Sequence, residues 1–354
     1  MSTLETNAIG KYSGNNVSVD DALNLKSYTT AQRDALTSVA GDMIYNSDDS
    51  QVQTYNGSSW DSLGNPFVNV DFLVIAGGGA GANNNNGGGY ASGGGGAGGY
   101  RTSYGSGTIS GGSSTVETDY RITADGSTTY TVSIGAGSGT ERIPASNSKF
   151  AEIISIGGGS SENYNSYNGQ TGGSGSGVTG FPSSEIGYGL EGQGSNGGAS
   201  STAGGGGGGA GGTGASATSQ TAPGAGGAGQ SSSITGSAVT RAGGGGGGAG
   251  GTGTGAAGGS GGGGAGANGT NGATVGNTGT NGTVNTGSGG GGGSGGTSAG
   301  SHSNGGSGIV ILRWATADAT IGATRTGLVD GGVQTDGSDS YIVFTGGEGD
   351  ITFS

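Results

Sequence analysis

The string GGGGGGAGGTG occupies residues 204–214 and returns letter for letter at 243–253. Six consecutive glycines have no apolar stripe or face to bury, so such a stretch joins a fold only through its backbone. Helix is disfavoured there by about 1 kcal/mol per residue relative to alanine, and glycine is equally poor strand material. Related runs stand at 93–99, 261–264 and 289–293. Of 354 residues 97 are glycine and only 29% are hydrophobic, too few for an ordinary core at this length.

Two outcomes suit such composition. One is a flexible linker, the usual fate of glycine-rich sequence without a short period. The other is a bundle of polyglycine-II rods. These are extended three-fold helices whose N–H and C=O groups point outward to neighbouring rods, and six residues span about 19 Å. Bare glycine runs, their recurrence with turn-like segments between them, and apolar strands at both ends favour the bundle. Ordering a residue costs about 1–2 kcal/mol and a hydrogen bond returns about 0.5–1.5 kcal/mol, so only near-complete pairing can hold it together. Alanine is the side chain that such close rods tolerate, and alanine interrupts the longest runs.

Residues 1–65 form a first region of mixed charge and sparse glycine, read as an attachment and oligomerisation module. YTTAQRDALTS predicts a short helix, with Thr29 as N-cap and Gln32 completing a capping box. GDMIYNSDDSQVQTYNGSSWDSL predicts a hairpin turning across residues 47–50, with a second turn at Asn56-Gly57. Residues 66–315 form the glycine region, with strands expected at 67–76, 128–134, 150–156 and 308–314. The first and last are the most apolar runs of the chain, and pairing them would close the region into one unit. Residues 316–354 return to acidic, strand-like sequence, read as a hairpin turning at Gly346-Gly347. The fold class expected is mainly β with a polyglycine-II helix bundle, a small N-terminal α+β module and little helix.

A net charge of −13 argues against nucleic acid as a partner. No stretch approaches the roughly 20 apolar residues of a membrane span, so no membrane insertion is expected. The start MSTLETNAIGKYSG has neither the basic nor the apolar part of a signal peptide. VDFLVIAGGGAGANNNN (70–86) matches the dinucleotide spacing G-x-G-x-x-G/A at Gly77, Gly79 and Ala82. The motif needs a following helix and an acid some 20 residues on. Here asparagines and glycines follow, and the next acid after Asp71 is Glu117. His302 is the one histidine and there is no cysteine, which leaves little for a triad or a metal site. Glu185 and Glu191 are conceivable as a carboxylate pair but have no visible scaffold. No enzyme activity, metal or cofactor is expected.

The informative side chains collect in the loops. SSENYNSYNGQ (160–170) carries Asn163, Tyr164 and Tyr167; GFPSSEIGYGLEGQG (180–194) carries Phe181 and Tyr188; SAGSHSN (298–304) carries His302. Tyrosine beside Asn, Ser and Gly suits adaptable recognition, and these six residues are the candidate receptor contacts. The alternative is that the aromatics cap the ends of the bundle.

YTTAQRDALTSVAGDMIYNSDDSQVQTYNGSSWDSLG (28–64) resembles a short module of bacteriophage tail-fibre and other virion proteins. FLVIAGGGAG…GGGGAGGYRT…YTVSIGAG…GSGIVILRW is similar to a glycine-rich module of phage fibres, notably those of marine phages. Polyglycine-II bundles occur in phage receptor-binding adhesins, whose loops contact the host. The resemblance implies a virion protein assembled in the host cytoplasm and acting outside it. It also implies a homo-oligomer, a trimer by analogy, joined to other virion proteins through the N-terminal region. The loops would then bind a host cell-surface glycan or protein. The alternative is a purely structural decoration or self-assembling filament subunit.

Overall fold

The computed structural model describes residues 24–48, 51–63, 67–83, 90–105, 110–163, 168–180, 185–270, 275–295 and 301–354. The chain divides into two compact units, Met1–Pro66 and Phe67–Ser354. The described residues are mainly β, and their one helix is five residues long.

In the first unit, β1 (Ser27–Tyr28), β2 (Met43–Asn46), β3 (Gln51–Tyr55) and β4 (Trp60–Ser62) form a sheet in chain order. Helix α1 (Thr30–Asp34) starts at the expected cap: Thr29 Oγ1 accepts from Gln32 N–H while Gln32 Oε1 accepts from Thr29 N–H. The chain turns back at Asn56-Gly57, where Gly57 has φ +104°. Along β2, Ile44 and Asn46 are buried while Met43 and Tyr45 are exposed. Asn46 and Gln53 reach Thr30 and Arg33 of α1 by hydrogen bonds, so the helix covers that face.

The second unit contains β5 (Phe67–Ile75), β6 (Tyr100–Thr102), β7 (Tyr120–Thr123), β8 (Thr129–Ser133), β9 (Ser148–Phe150) and β10 (Ile153–Ser155). It continues with β11 (Gln230–Ser232), β12 (Val239–Arg241), β13 (Ile309–Ala315), β14 (Leu328–Asp336) and β15 (Asp339–Thr352). Nine of these make a nearly closed, barrel-like sheet in the order β10-β9-β8-β15-β13-β5-β6, with β14 on β15 and β7 on β5. β9 and β10 come back against β5. The two apolar runs pair as expected, antiparallel from Ile309–Ile75 to Arg313–Asp71. Side chains alternate along β5. Val68, Val70, Phe72 and Val74 fill the inside with Leu312, Trp314, Ile342, Phe344 and Phe353. Leu73 and Ile75 face outward onto Tyr100, Ile234, Ala210, Ile309 and Ile311. Burial on both faces explains the unbroken apolar run.

The C-terminal hairpin turns at Gly337-Ser338, between the paired Asp336 and Asp339, and not at Gly346-Gly347. Those two glycines lie within β15, with Gly347 at φ +87° opposite Leu328. There β15 passes from pairing with β14 to pairing with β8, so the glycines serve a change of partner inside one strand.

Among the described residues between β5 and β13 the glycine segments carry no helix and little strand, yet their glycine runs are largely buried and hydrogen-bonded. In 94–99, Gly94 and Ala97 donate to Gly205 and Gly208, Gly95 and Gly98 to Gly290 and Gly287, and Gly96 and Gly99 to Gly159 and Ile156, all at 2.8–3.0 Å. The partner segment recurs every third residue. In the first copy of the repeat, Gly204, Gly207 and Ala210 donate to Gly248, Gly245 and Ala242; Gly205 and Gly208 to Val178 and Gly175; and Gly206 and Gly209 to Ala215 and Gly212. In the second copy, Gly244 and Gly247 donate to Gly227 and Gly224, Gly245 and Gly248 to Gly95 and Ser92, and Gly246 and Ala249 to Gly264 and Ala267. Contact is backbone on backbone: a Cβ built on Gly95 would fall 2.1 Å from Gly79 O, and one on Gly245 2.0 Å from Gly290 O. No helix follows Gly77–Gly79 among the described residues, and their N–H groups are taken by Ser146, Gly306 and Gly96.

Candidate recognition surface

The chain leaves the sheet from β5 through 76–83 and returns through 90–99 into β6. Ala76 donates to Gly99 O and Gly79 to Gly96 O, which sets the two segments in opposite directions. Segment 302–308 also returns, into β13, with Gly78 bonded to Gly306 and Gly81 bridged to Ser303. Segments 134–138 and 156–161 run outward from β8 and β10: Ser138 and Gly158 donate to Gly78 and Gly77, and Ser161 to Ala80. Asn83, residues 139–142, residues 162–163 and residues 301–302 therefore meet at the end of the glycine block remote from the sheet.

Glu141 is the node of this end. Its Oε2 accepts from Asn83 N–H at 3.0 Å and its Oε1 from Asn163 Nδ2 at 2.7 Å. Asn83 Nδ2 donates to Ser301 O at 2.9 Å, and the adjacent His302 ring nitrogen Nε2 meets Gly139 O. Gln170 Nε2 donates to Arg142 O (2.6 Å) and to Glu162 Oε1 (3.1 Å), and Thr179 Oγ1 donates to Glu162 O. Arg142 sits at φ +69°, a left-handed backbone costly for a side chain of that size. Three buried acceptors at this end, Asn83 Oδ1, Glu162 Oε2 and Gln170 Oε1, have no donor among the described residues.

Of the candidate contacts, Asn163 and His302 are thus brought to one corner, each bonded to the 139–142 turn. Tyr188 is 53% exposed, and its carbonyl accepts from Gly172 N–H; no bond joins its side chain to the 139–142 turn among the described residues. Tyr164, Tyr167 and Phe181 lie outside the described residues. Glu141 and Arg142 escaped the sequence reading, although GTER (139–142) is a charged pair inside otherwise uncharged loop sequence.

A shallow polar groove of about 370 Å³ lies beside β6, lined by Arg101, Ser110, Ser114, Glu117, Glu191 and Gln193. Arg101 is committed there to a two-pronged pair with Glu117. Glu185 is not among the lining residues, so this groove does not bring the two carboxylates together. Among the described residues no cluster of three His, Cys, Asp or Glu could hold a metal, and no helix is long and apolar enough to cross a membrane.

The description "Glycine-rich domain" belongs to a family that matches residues 50–315. No curated protein and no solved structure matches the chain.

Proposed function

We propose that this chain, which belongs to the glycine-rich domain family, is a virion structural and host-recognition protein of the fibre-tip type. In this reading segments 90–99, 203–210, 242–250 and 287–295 are polyglycine-II rods, and their lattice is a stiff platform. The recurrence of hydrogen-bond partners every third residue supports it, since a three-fold helix returns each N–H to the same neighbour after three residues.

The observation that carries the recognition role is the convergence of polar loops on Glu141 at the end away from the sheet. A surface fixed by Glu141, Asn163 and His302, in loops rich in Asn, Ser and Gly, suits a polar ligand such as a cell-surface glycan. The first unit would attach the protein to its own kind, as a trimer, or to other virion proteins. Exposure of Met43 and Tyr45 on the sheet face opposite α1 supports that.

The test is adhesion of the purified full chain to a panel of marine bacteria. Glu141→Ala and Asn163→Ala together should lower adhesion at least tenfold while the unfolding midpoint moves by only a few degrees. Adhesion to no strain, with polymerisation that rises with concentration, would replace recognition by the filament reading.

A further inference from the structure

An asparagine followed by glycine can be modified by its own backbone. The glycine nitrogen attacks the side-chain carbonyl carbon, which lies on the adjacent residue, and the new bond closes a five-membered ring. Such pairs begin at Asn56, Asn86, Asn168, Asn196, Asn268, Asn271, Asn281 and Asn304. Asn86-Gly87 and Asn271-Gly272 lie outside the described residues. In the second unit every other pair has its glycine nitrogen engaged. Gly169 donates to Glu185 O, Gly197 to Gly187 O, Gly269 to Gly253 O, Gly282 to Asn304 O and Gly305 to Ser138 O, all at 2.8–3.0 Å. A nitrogen held in this way keeps its proton and its place, so attack has to wait for the segment to open.

Asn56-Gly57, in the turn between β3 and β4, is built differently. Gly57 is exposed, and its N–H has no acceptor among the described residues. The neighbouring amide is gripped at both ends. Asn56 Oδ1 accepts from Ser58 N–H at 2.8 Å, from the Ser58 hydroxyl at 2.9 Å and from Ser59 N–H at 2.9 Å. Two of these donors are backbone N–H groups, so the atom they meet is the oxygen and not the amide nitrogen. Asn56 Nδ2 donates to Asp61 Oδ2 at 2.8 Å and to Ser59 Oγ at 2.9 Å. When a nucleophile adds to Asn56 Cγ, negative charge develops on Oδ1, where three donors already stand. The carbonyl is therefore activated beside a nitrogen that nothing else holds.

We propose that Asn56 is a self-modification site, at which the chain converts its own amide to aspartate and isoaspartate. The Gly57 nitrogen gives its proton to solvent base and bonds to Asn56 Cγ. The Cγ–Nδ2 bond then breaks, and the nitrogen takes a proton from water and leaves as ammonia. Water adds to either carbonyl of the succinimide, which yields the two acids. The product places a new carboxylate beside Asp61, where Nδ2 had donated. Isoaspartate also lengthens the main chain inside the turn that Asn56 N–H closes on Ser59 O at 2.9 Å. β4 is an edge strand paired only with β3, so this conversion loosens β4 from the sheet.

The experiment holds the full chain in mildly alkaline buffer made with heavy-oxygen water and maps its peptides by mass spectrometry over several weeks. Conversion at Asn56 should run at least about tenfold faster than at Asn168, Asn196, Asn268, Asn281 and Asn304, whose glycine amides must first be released. It should quicken as pH rises, since the Gly57 nitrogen has to lose its proton, and should put heavy oxygen into the product. In denaturant the six sites should react at comparable rates, because the fold and not the local sequence separates them. Asn56→Gln, which would need a larger ring, should fold as wild type and stay unmodified at that position. Equal rates at the six sites of the folded chain, or a ranking that survives in denaturant, would overturn the assignment.

Discussion

At Phe72 and at Gly95 the same chain meets the problem of burial in opposite ways. Around Phe72 the sheet fills its interior with side chains, each worth about 1.5–3 kcal/mol when buried. Around Gly95 nothing but backbone is buried. The segments lie so close that a single added Cβ would meet the carbonyl oxygen of Gly79. Side-chain burial is local and roughly additive, so the sheet can be weakened one residue at a time. Backbone hydrogen bonds return little more than the ordering of glycine costs, so the glycine block depends on being complete. The sheet also supplies the block's boundary conditions, since β5, β6, β8, β10 and β13 each continue directly into a glycine segment.

That contrast can be tested by substitution. The largest effect is expected at Phe72→Ala, about 4 kcal/mol by chemical denaturation, as for other large-to-small changes in a full core. Gly245→Ala adds one methyl group and should still cost about 3 kcal/mol, because the methyl meets the Gly290 carbonyl. Gly139→Ala, with nothing within 4 Å of the new Cβ, should be neutral within about 0.5 kcal/mol. If Gly245→Ala were as mild as Gly139→Ala, the distinction between the two regions would fail.

A smaller effect separates the regions by pH. The Arg325 guanidinium, 2.9 Å away, is the main cause holding Asp330 in β14 below the usual carboxylate value. A depressed carboxylate contributes stability above the free-aspartate value of about 4 and loses it as pH falls through the lower folded value. Denaturation curves between about pH 6 and pH 3 should therefore show an acid-side loss, reduced in Asp330→Asn by about 0.5–1 kcal/mol, as for a partly exposed pair. From 192 to 312 only Arg241 is charged and His302 is the one other titratable side chain, so this part of the glycine block should contribute almost nothing to that slope.

Sequence legibility followed the same division. The cap at Thr29, the hairpin of the first unit and the β5–β13 pairing could be read because their signals are local or strongly apolar. The turn at Gly346-Gly347 was misread because a glycine pair reads as a turn, while here it bends a strand held by three others. Short strands such as β6 and β9 left no pattern, being fixed by the strands they join. The Glu141 node was out of reach for a different reason. It exists only because segments 58 and 22 residues away deliver Asn83 and Asn163 to one carboxylate. Asn163 and His302 were legible as loop polar residues, but not as neighbours of the same turn.

The glycine block is a hydrogen-bonded body and not a tether between strands. Amide hydrogen exchange of the full chain tests it most directly. Amides of 94–98, 205–210 and 244–249 should exchange as slowly as those of 71–75 and 309–313, and together. Exchange at unstructured-peptide rates across those glycines, with β5 and β13 still protected, would contradict it.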